Sequence, residues 1–399
     1  VDVALLGATY ISNLQQEGIA ATAKHFPGDG IDDRDHHLVT NVNTLSVEEW
    51  DATYGKVYKA CIDAGVLSVM VGHIMQPAYS KLLNPEIEDK DIMPATLSKE
   101  LIQGLLRGKL GFNGLVVTDA TTMSGFTIPM PRKLSVPTTI AAGADVFLFS
   151  RNMEEDVAFM KEGYKNGIIT PERLDEAVIR ILAMKAHLKL YKPQEEQYSV
   201  KRAENEIGKA EYHCWARELA DDSITIVKEE PGVLPLSPKK YPRLMYFPIE
   251  TAGYDGFLNK AETFKQMLIK EGFEVSEFNP ARGMEGFLAP TTEYIGKYDV
   301  MVYFACVSTR SNQTTVRIQW EAPLGANCPH YITSIPTVFI SVENPYHLQD
   351  VPRIRTYINA YSSHQEVLEE VLEKLMGRSE FKGESPCDPF CGRWDTHLQ

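Results

Sequence analysis

The stretch Gly111–Gly125, GFNGLVVTDATTMSG, decides the fold. Leu115–Thr118 form a short apolar and β-branched run that does not alternate with polar residues and ends on Asp119. Such a run is the pattern of a strand in a parallel sheet, because helices cover both faces of that sheet. In parallel α/β folds the carboxyl ends of the strands carry the chemistry. Asp119 therefore marks the edge of the sheet to search.

Working outward, the same signature recurs at Ile19–Phe26, Val66–Gly72 and Asp145–Phe149. Polar groups gather where these runs end: Lys24 and His25 after the first, His73 after the second. Helical patterns fall between them at 46–64, 98–110, 136–142 and 152–165. Ser98 reads as a cap for Leu101, Leu105 and Leu106, with Gly111 as the stop, while Thr170 caps a helix opened by Pro171. Alternating βα units predict an α/β fold of the (β/α)8 TIM-barrel type. A complete barrel takes about 250 residues, and only four strands are legible. The expectation is a partial barrel lacking its first strands. The opening VDVALLGATYISNLQ already has Val3, Leu5, Leu6, Ala8, Ile11 and Leu14 at helical spacing, which predicts that a further barrel segment precedes Val1 in the native protein.

With 399 residues the chain exceeds what one core supports. Residues 1–191 read as the C-terminal part of the barrel, and 192–222 as a charged linker that turns helical near Cys214. Residues 223–376 read as a second α/β layer domain with strands near 223–228, 243–247, 300–305, 337–342 and 356–360. Helical patterns there cover 259–270 and 364–375. The tail, 377–399, contains Pro386 and Pro389 and reads as an extended arm.

A net charge of −14 argues against nucleic acid and anionic membrane surfaces, both of which call for a basic face. No apolar run approaches the roughly 20 residues of a membrane-spanning helix. The six cysteines are scattered. Only Cys387 and Cys391 lie close together, weak grounds for zinc. Reduced thiols in a cytoplasmic protein are expected. No cofactor and no metal are expected either.

The densest cluster of reactive groups is KHFPGDGIDDRDHH, Lys24–His37. It leaves a strand and enters a loop punctuated by Pro27, Gly28 and Gly30. Lys24 and His25 can each donate to a polar ligand. Asp35 stands two residues before His37, a spacing at which a carboxylate can hold an imidazole in one tautomer. An imidazole, ordinarily near pKa ~6.5, gives and takes protons at neutral pH. A solvated acidic loop is the bland alternative, and the position after a buried strand weighs against it. Asp119 alone could equally be a helix N-cap. Together, a carboxylate and a histidine-bearing loop are what double displacement at an anomeric carbon requires.

On these residues the chain resembles glycoside hydrolase family 3, and within it the β-N-acetylhexosaminidases of the NagZ type. KHFPGDG followed by Asp35-His36-His37 looks like that subgroup's Lys-His-Phe-Pro-Gly motif and Asp-x-His dyad. GLVVTDATTM resembles the family's nucleophile strand. PTVFISVENPYHLQDVP with TYINAYS is similar to the family's second, α/β sandwich domain. The resemblance implies a retaining exo-β-N-acetylglucosaminidase with Asp119 as nucleophile, His37 as acid/base and Asp35 as its orienting partner. Lys24 and His25 would bind sugar hydroxyls, and His73 would contact the sugar or be structural. His36, next to the dyad, competes with His37 for the acid/base role, and the family spacing favours His37. The implied ligand is a small carbohydrate, such as a muropeptide or chitooligosaccharide. Three alternatives stand beside this reading. They are a phosphorylase or β-glucosidase of the same family, a metal-dependent hydrolase using His25, Asp35, His36, His37, His73 and Asp119, and an inactive sugar-binding module. The metal reading suffers because no His-x-His follows a strand.

Overall fold

The computed structural model describes residues 3–192, 199–250, 259–279, 290–313, 316–321 and 324–398. Residues 1–2 of the opening stretch, 193–198 of the expected linker and residue 399 of the arm lie outside these. The chain divides into two units. One is Val1–Tyr198 with Ser311–Thr314; the other is Ser199–Arg310 with Thr315–Gln399.

In the first unit the strands are β1 (Thr22–Phe26), β2 (Asn41–Val42), β3 (Ser68–Val71), β4 (Ile74–Met75) and β5 (Leu115–Thr118). All of them pair in parallel: β3 lies between β1 and β5, and β2 pairs with β4. Phe26, Val69, Val71 and Val116 are buried in one core with Leu101 and Leu105. β3 and β5 are buried along nearly their whole length, as their non-alternating runs predicted, whereas β1, at the edge of the three strands, leaves Thr22 and Lys24 exposed.

The fourth expected strand, Asp145–Phe149, is reduced to one bridge between Val117 and Val146. Backbone bonds still tie it to β5, from the Thr118 amide to the Val146 carbonyl at 3.0 Å and from the Asp145 amide to the Val116 carbonyl at 2.7 Å, and side chains interrupt the rest of the ladder. The Val116 amide donates to the Asp145 carboxylate at 2.9 Å, and the Leu148 amide donates to Thr118 Oγ1 at 2.9 Å. Phe149 then turns into the left-handed region at φ 52°, which ends any extension.

The expected helix 46–64 is three segments. Ser46 and Glu49 form a reciprocal capping box for Val47–Trp50. A wider i→i+5 turn follows at Asp51–Gly55, then Lys56–Asp63. Gly55 matters here, because a Cβ would sit 2.9 Å from the Trp50 ring. Trp50 is fully buried and donates from Nε1 to the Pro27 carbonyl at 2.7 Å, so this helix pins the loop that leaves β1.

The opening helix Val3–Gln16 departs from its amphipathic reading. It buries Ala4 and Ile11, while Val3, Leu5, Leu6 and Tyr10 are exposed by 58–69%. Its one packed face meets the helix Lys56–Asp63. Nothing among the described residues covers the rest.

The second unit is built on β6 (Thr225–Lys228), β7 (Arg243–Glu250), β8 (Glu274–Glu277), β9 (Val300–Cys306), β10 (Thr337–Val342) and β11 (Thr356–Asn359). Their order is β6–β11–β10–β9–β7–β8, parallel except for β6 against β11. β9 and β10 are buried at every residue, as their continuous apolar sequences require. Strand β8, sequence EVSE, was not legible: it is an exposed edge strand whose charges mask the pattern. Helices Ala210–Ser223, Lys260–Lys270 and Gln365–Leu375 pack around this sheet. The tail returns to it. Lys228, buried on β6, donates from Nζ to the carbonyls of Pro352, Thr396 and Leu398.

Candidate active site

Asp119 follows β5 directly. Its amide donates to the Val71 carbonyl at 3.0 Å, which continues the sheet by one residue and fixes the side chain at the strand end. The residue is 8% exposed. Its Oδ1 accepts from the Ala120 amide at 2.7 Å, while Oδ2 is buried with no hydrogen-bond partner. The helix that follows, Ser124–Thr127, has Met123 at its N-cap. The N-cap alternative for Asp119 therefore fails.

The loop from β1 carries the dyad. His37 Nδ1 lies 2.7 Å from Asp35 Oδ1, and the His37 amide donates to that same oxygen at 2.8 Å. Asp35 Oδ2 accepts from the amide of Asn312, which belongs to the same unit. Burial pushes the Asp35 carboxyl up, but the donors from His37 and Asn312 outweigh it and hold the group below the ordinary aspartate value. An ionised carboxylate only accepts, so the His37 proton shared with it sits on Nδ1 and Nε2 faces away, free for exchange. The loop is braced by Asp32. Its carboxylate takes the Arg34 guanidinium and the Arg34 and Val42 amides, which lower it to about 2, the guanidinium having the largest effect.

Two contacts join the dyad loop to the segment after Asp119. The Ser124 amide donates to the His37 carbonyl at 3.0 Å, and Thr40 Oγ1 donates to the Gly125 carbonyl at 2.9 Å. Gly125 is required at this approach, since a Cβ would fall 2.4 Å from the His36 carbonyl oxygen. Sequence reading passed over Gly125, because a glycine in a loop carries no sign of what it touches.

His25, His36, His37 and His73 form a chain of neighbouring rings, with centroids 4.8 Å apart for His25–His36, 5.1 Å for His36–His37 and 6.1 Å for His36–His73. His25 Nε2 and His36 Nδ1 lie 3.6 and 3.7 Å from Asp119 Oδ2. Burial lowers the pKa of His25, against the pull of Asp119. Lys24, the neighbouring residue on β1, is exposed. Beside Lys24 and His25 opens a groove of about 700 Å³ that also borders Asp29, Tyr54 and Tyr10.

His73 is a correction. It is fully buried, with Nδ1 2.9 Å from Thr96 Oγ1 and Nε2 3.1 Å from the Ala120 carbonyl. The carbonyl must accept, so Nε2 carries the proton, and Nδ1 faces the Thr96 hydroxyl, which also reaches the Gly72 carbonyl at 2.8 Å. Both nitrogens are engaged, which leaves nothing for a sugar hydroxyl. Its work is to hold the Ala120 peptide beside Asp119. The sequence thus brings Asp119, Asp35, His37, Lys24 and His25 into one unit, and adds His36 and Asp29 as further polar groups. With an ionised dyad carboxylate, an imidazole with one open nitrogen and a strand-end carboxylate, the site can move a proton and supply a nucleophile.

Comparison with known proteins identifies the family of the chain. Residues 2–184 match the glycosyl hydrolase family 3 N terminal domain. The chain is 52% identical over 400 residues to a beta-N-acetylglucosaminidase/beta-glucosidase of Cellulomonas fimi, spanning 99% of the chain and 71% of that protein. A beta-hexosaminidase of Tolumonas auensis is 33% identical over 162 residues, 40% of this chain and 45% of its own. Among solved structures, the beta-glucoside phosphorylase BglX superposes with a TM-score of 0.90 at 44% identity, covering 98% of this chain and 69% of that one. A family 3 beta-N-acetylglucosaminidase from Paenibacillus sp. gives 0.76 at 25% identity, covering 96% and 69%.

Proposed function

Because the chain belongs to glycoside hydrolase family 3, we propose that it is a retaining exo-β-N-acetylglucosaminidase acting by double displacement. One observation carries this reading: the unpartnered, buried Oδ2 of Asp119 stands in the same unit as the His37–Asp35 dyad, on a segment hydrogen-bonded to the dyad loop. A carboxylate oxygen without a donor is a better nucleophile than one already accepting two.

In the first step Asp119 Oδ2 bonds to the anomeric carbon while the glycosidic C–O bond breaks. The leaving oxygen takes the proton from His37 Nε2. In the second step His37 Nε2 accepts a proton from water, whose oxygen displaces the Asp119 carboxylate with a second inversion. Asp35 keeps Nδ1 protonated throughout, so only Nε2 exchanges. Lys24 and His25 hold sugar hydroxyls. Unit one is read as the C-terminal part of a (β/α)8 barrel, with β1, β3, β5 and the Val146 bridge as successive strands.

A second reading is phosphorolysis. A neutral imidazole repels an incoming phosphate less than a carboxylate acid/base would, and the 44% identical solved relative is described as a phosphorylase. In that case phosphate oxygen replaces water in the second step and the product is a sugar 1-phosphate.

Incubation with a 2-fluoro glycosyl donor and peptide mass spectrometry tests the shared first step. A covalent sugar on the peptide bearing Asp119 is expected, and a label on another carboxylate overturns the assignment. Turnover in phosphate buffer, with products weighed by mass, separates the two acceptors.

A further inference from the structure

Two imidazoles and two carboxylates close a ring next to the dyad. His25 presents Nε2 to Asp119 Oδ2 at 3.6 Å and Nδ1 to Asp29 Oδ2 at 3.7 Å. His36 presents Nδ1 to Asp119 Oδ2 at 3.7 Å and Nε2 to Asp29 Oδ2 at 3.6 Å. These separations are too long for hydrogen bonds. His36 Nδ1 and Asp119 Oδ2 are buried and unpartnered, although His36 is only 3% exposed.

The same separations suit ligand atoms around one small cation. Bonds of about 2.0–2.2 Å at tetrahedral angles put neighbouring ligand atoms roughly 3.4 Å apart. A nitrogen from each of His25 and His36 and an oxygen of Asp29 all lie within 4.8 Å of one another. Asp29 Oδ1 takes the Gly30 amide at 3.0 Å, and its Oδ2 is the oxygen that faces both rings. Its side chain is 39% exposed, which gives an ion a way in. The neighbouring set, Asp35, His36 and His37, is less suited because both Asp35 oxygens already accept hydrogen bonds.

We infer that His25, Asp29 and His36 form a three-ligand site for a divalent cation of the Zn2+ class, and that filling it silences Asp119. Two imidazoles and a carboxylate are a donor set that suits zinc. A metal-bound histidine typically gives its other N–H to a carboxylate, and here that carboxylate is Asp119 for both rings. Metal on His25 Nδ1 and His36 Nε2 leaves protons on His25 Nε2 and His36 Nδ1. Both N–H groups then point at Asp119 Oδ2, and when the rings draw in by about 0.5 Å on seating the ion they reach hydrogen-bonding distance and tie down the oxygen proposed to attack the sugar. The site is thus inhibitory, and the silencing half of the inference rests on the function proposed above.

The test uses the full 399-residue chain, stripped of metal by chelation and titrated with Co2+ and then Zn2+. One equivalent of Co2+ is expected to bind with the visible bands of a four-coordinate ion, and Zn2+ to displace it. Asp29→Asn keeps the Gly30 hydrogen bond and is expected to weaken binding by about tenfold or more, while Asp35→Asn leaves it unchanged. Equal affinity in wild type and Asp29→Asn, or loss in Asp35→Asn, overturns the ligand set. Turnover of an aryl β-N-acetylglucosaminide should fall in step with Zn2+ occupancy and return on chelation, each variant scaled to its own metal-free rate. Full occupancy without inhibition overturns the silencing. A metal-free chain with no turnover would instead count against the proposed activity, and the cobalt titration would still decide the site.

Discussion

His37 Nδ1 and the His37 backbone amide both donate to Asp35 Oδ1, at 2.7 and 2.8 Å. One carboxylate oxygen therefore fixes the ring and the chain of the same residue. In Asp35→Asn the amide can present N–H to the ring, which favours the wrong tautomer. We expect kcat on an aryl β-N-acetylglucosaminide to fall by about a hundredfold or more, with KM little changed. A large change in KM with kcat preserved would assign Asp35 to binding instead.

His37→Ala removes the proposed proton donor but leaves Asp119. Substrates whose leaving group needs no protonation, such as dinitrophenyl glycosides, should keep most of their first-step rate. Those with poor leaving groups should lose about 10²–10⁴. Burst kinetics across a leaving-group series measures the split. A uniform loss across the series would remove His37 from the acid role.

His73 supplies a pH signature. Burial lowers its pKa from the ordinary 6.5 to about 4, against the pull of the Ala120 carbonyl and Asp119. The folded chain keeps the ring neutral while the unfolded chain takes up a proton as pH falls through 6.5. The stability it contributes is complete above that pH and drains away between 6.5 and about 4. Urea unfolding at pH 7 and pH 5 should show His73→Gln losing its disadvantage relative to wild type by about 2 kcal/mol at the lower pH. Parallel stability profiles would contradict the buried neutral ring. The comparison also cancels His347, which burial likewise lowers to about 4.

Asp145 is the electrostatic knot of the first unit. Its side chain is fully buried, with Arg107 at 2.8 Å, Arg180 at 3.5 Å and Arg173 also bound. Asp145→Asn strips the buried charge from three partly buried cations, of which Arg173 and Arg180 keep the more exposed Glu176 as a charged partner, so about 3–5 kcal/mol of stability should be lost in urea unfolding. A loss under about 1 kcal/mol would mean that water already screens them.

Much of the site was legible because its chemistry lies where apolar runs stop. The runs ending at Phe26, Gly72 and Thr118 became β1, β3 and β5, with His25, His73 and Asp119 at or next to the ends of the runs. The family resemblance read from KHFPGDG and GLVVTDATTM holds. What sequence could not supply were contacts between segments distant along the chain. Asp145–Phe149 has the composition of a strand, but its backbone ladder with β5 is interrupted by bonds to the Asp145 carboxylate and the Thr118 hydroxyl. The stripe on Val3–Gln16 has helical periodicity, and periodicity carries no information about what covers it. His73 has the position of a ligand contact, yet Thr96 and Ala120 claim both of its nitrogens. Asp29 carried no sign of its own in the acidic loop, and His36, read as a rival to His37, carried none that it faces Asp29 and Asp119.

Gly125 bears on how such an enzyme can change its diet. Backbone meets backbone there, with the Val39 carbonyl oxygen 2.8 Å and the His73 Cβ 3.0 Å from where a methyl would go. The spacing between the segment after Asp119, the proposed nucleophile, and the loop of His37, the proposed proton shuttle, is therefore gauged by main chain, whose dimensions mutation does not alter. Selection can remodel the side chains that choose a glycone or an acceptor while that gauge stays constant, which leaves new specificities within reach of single substitutions elsewhere in the loops.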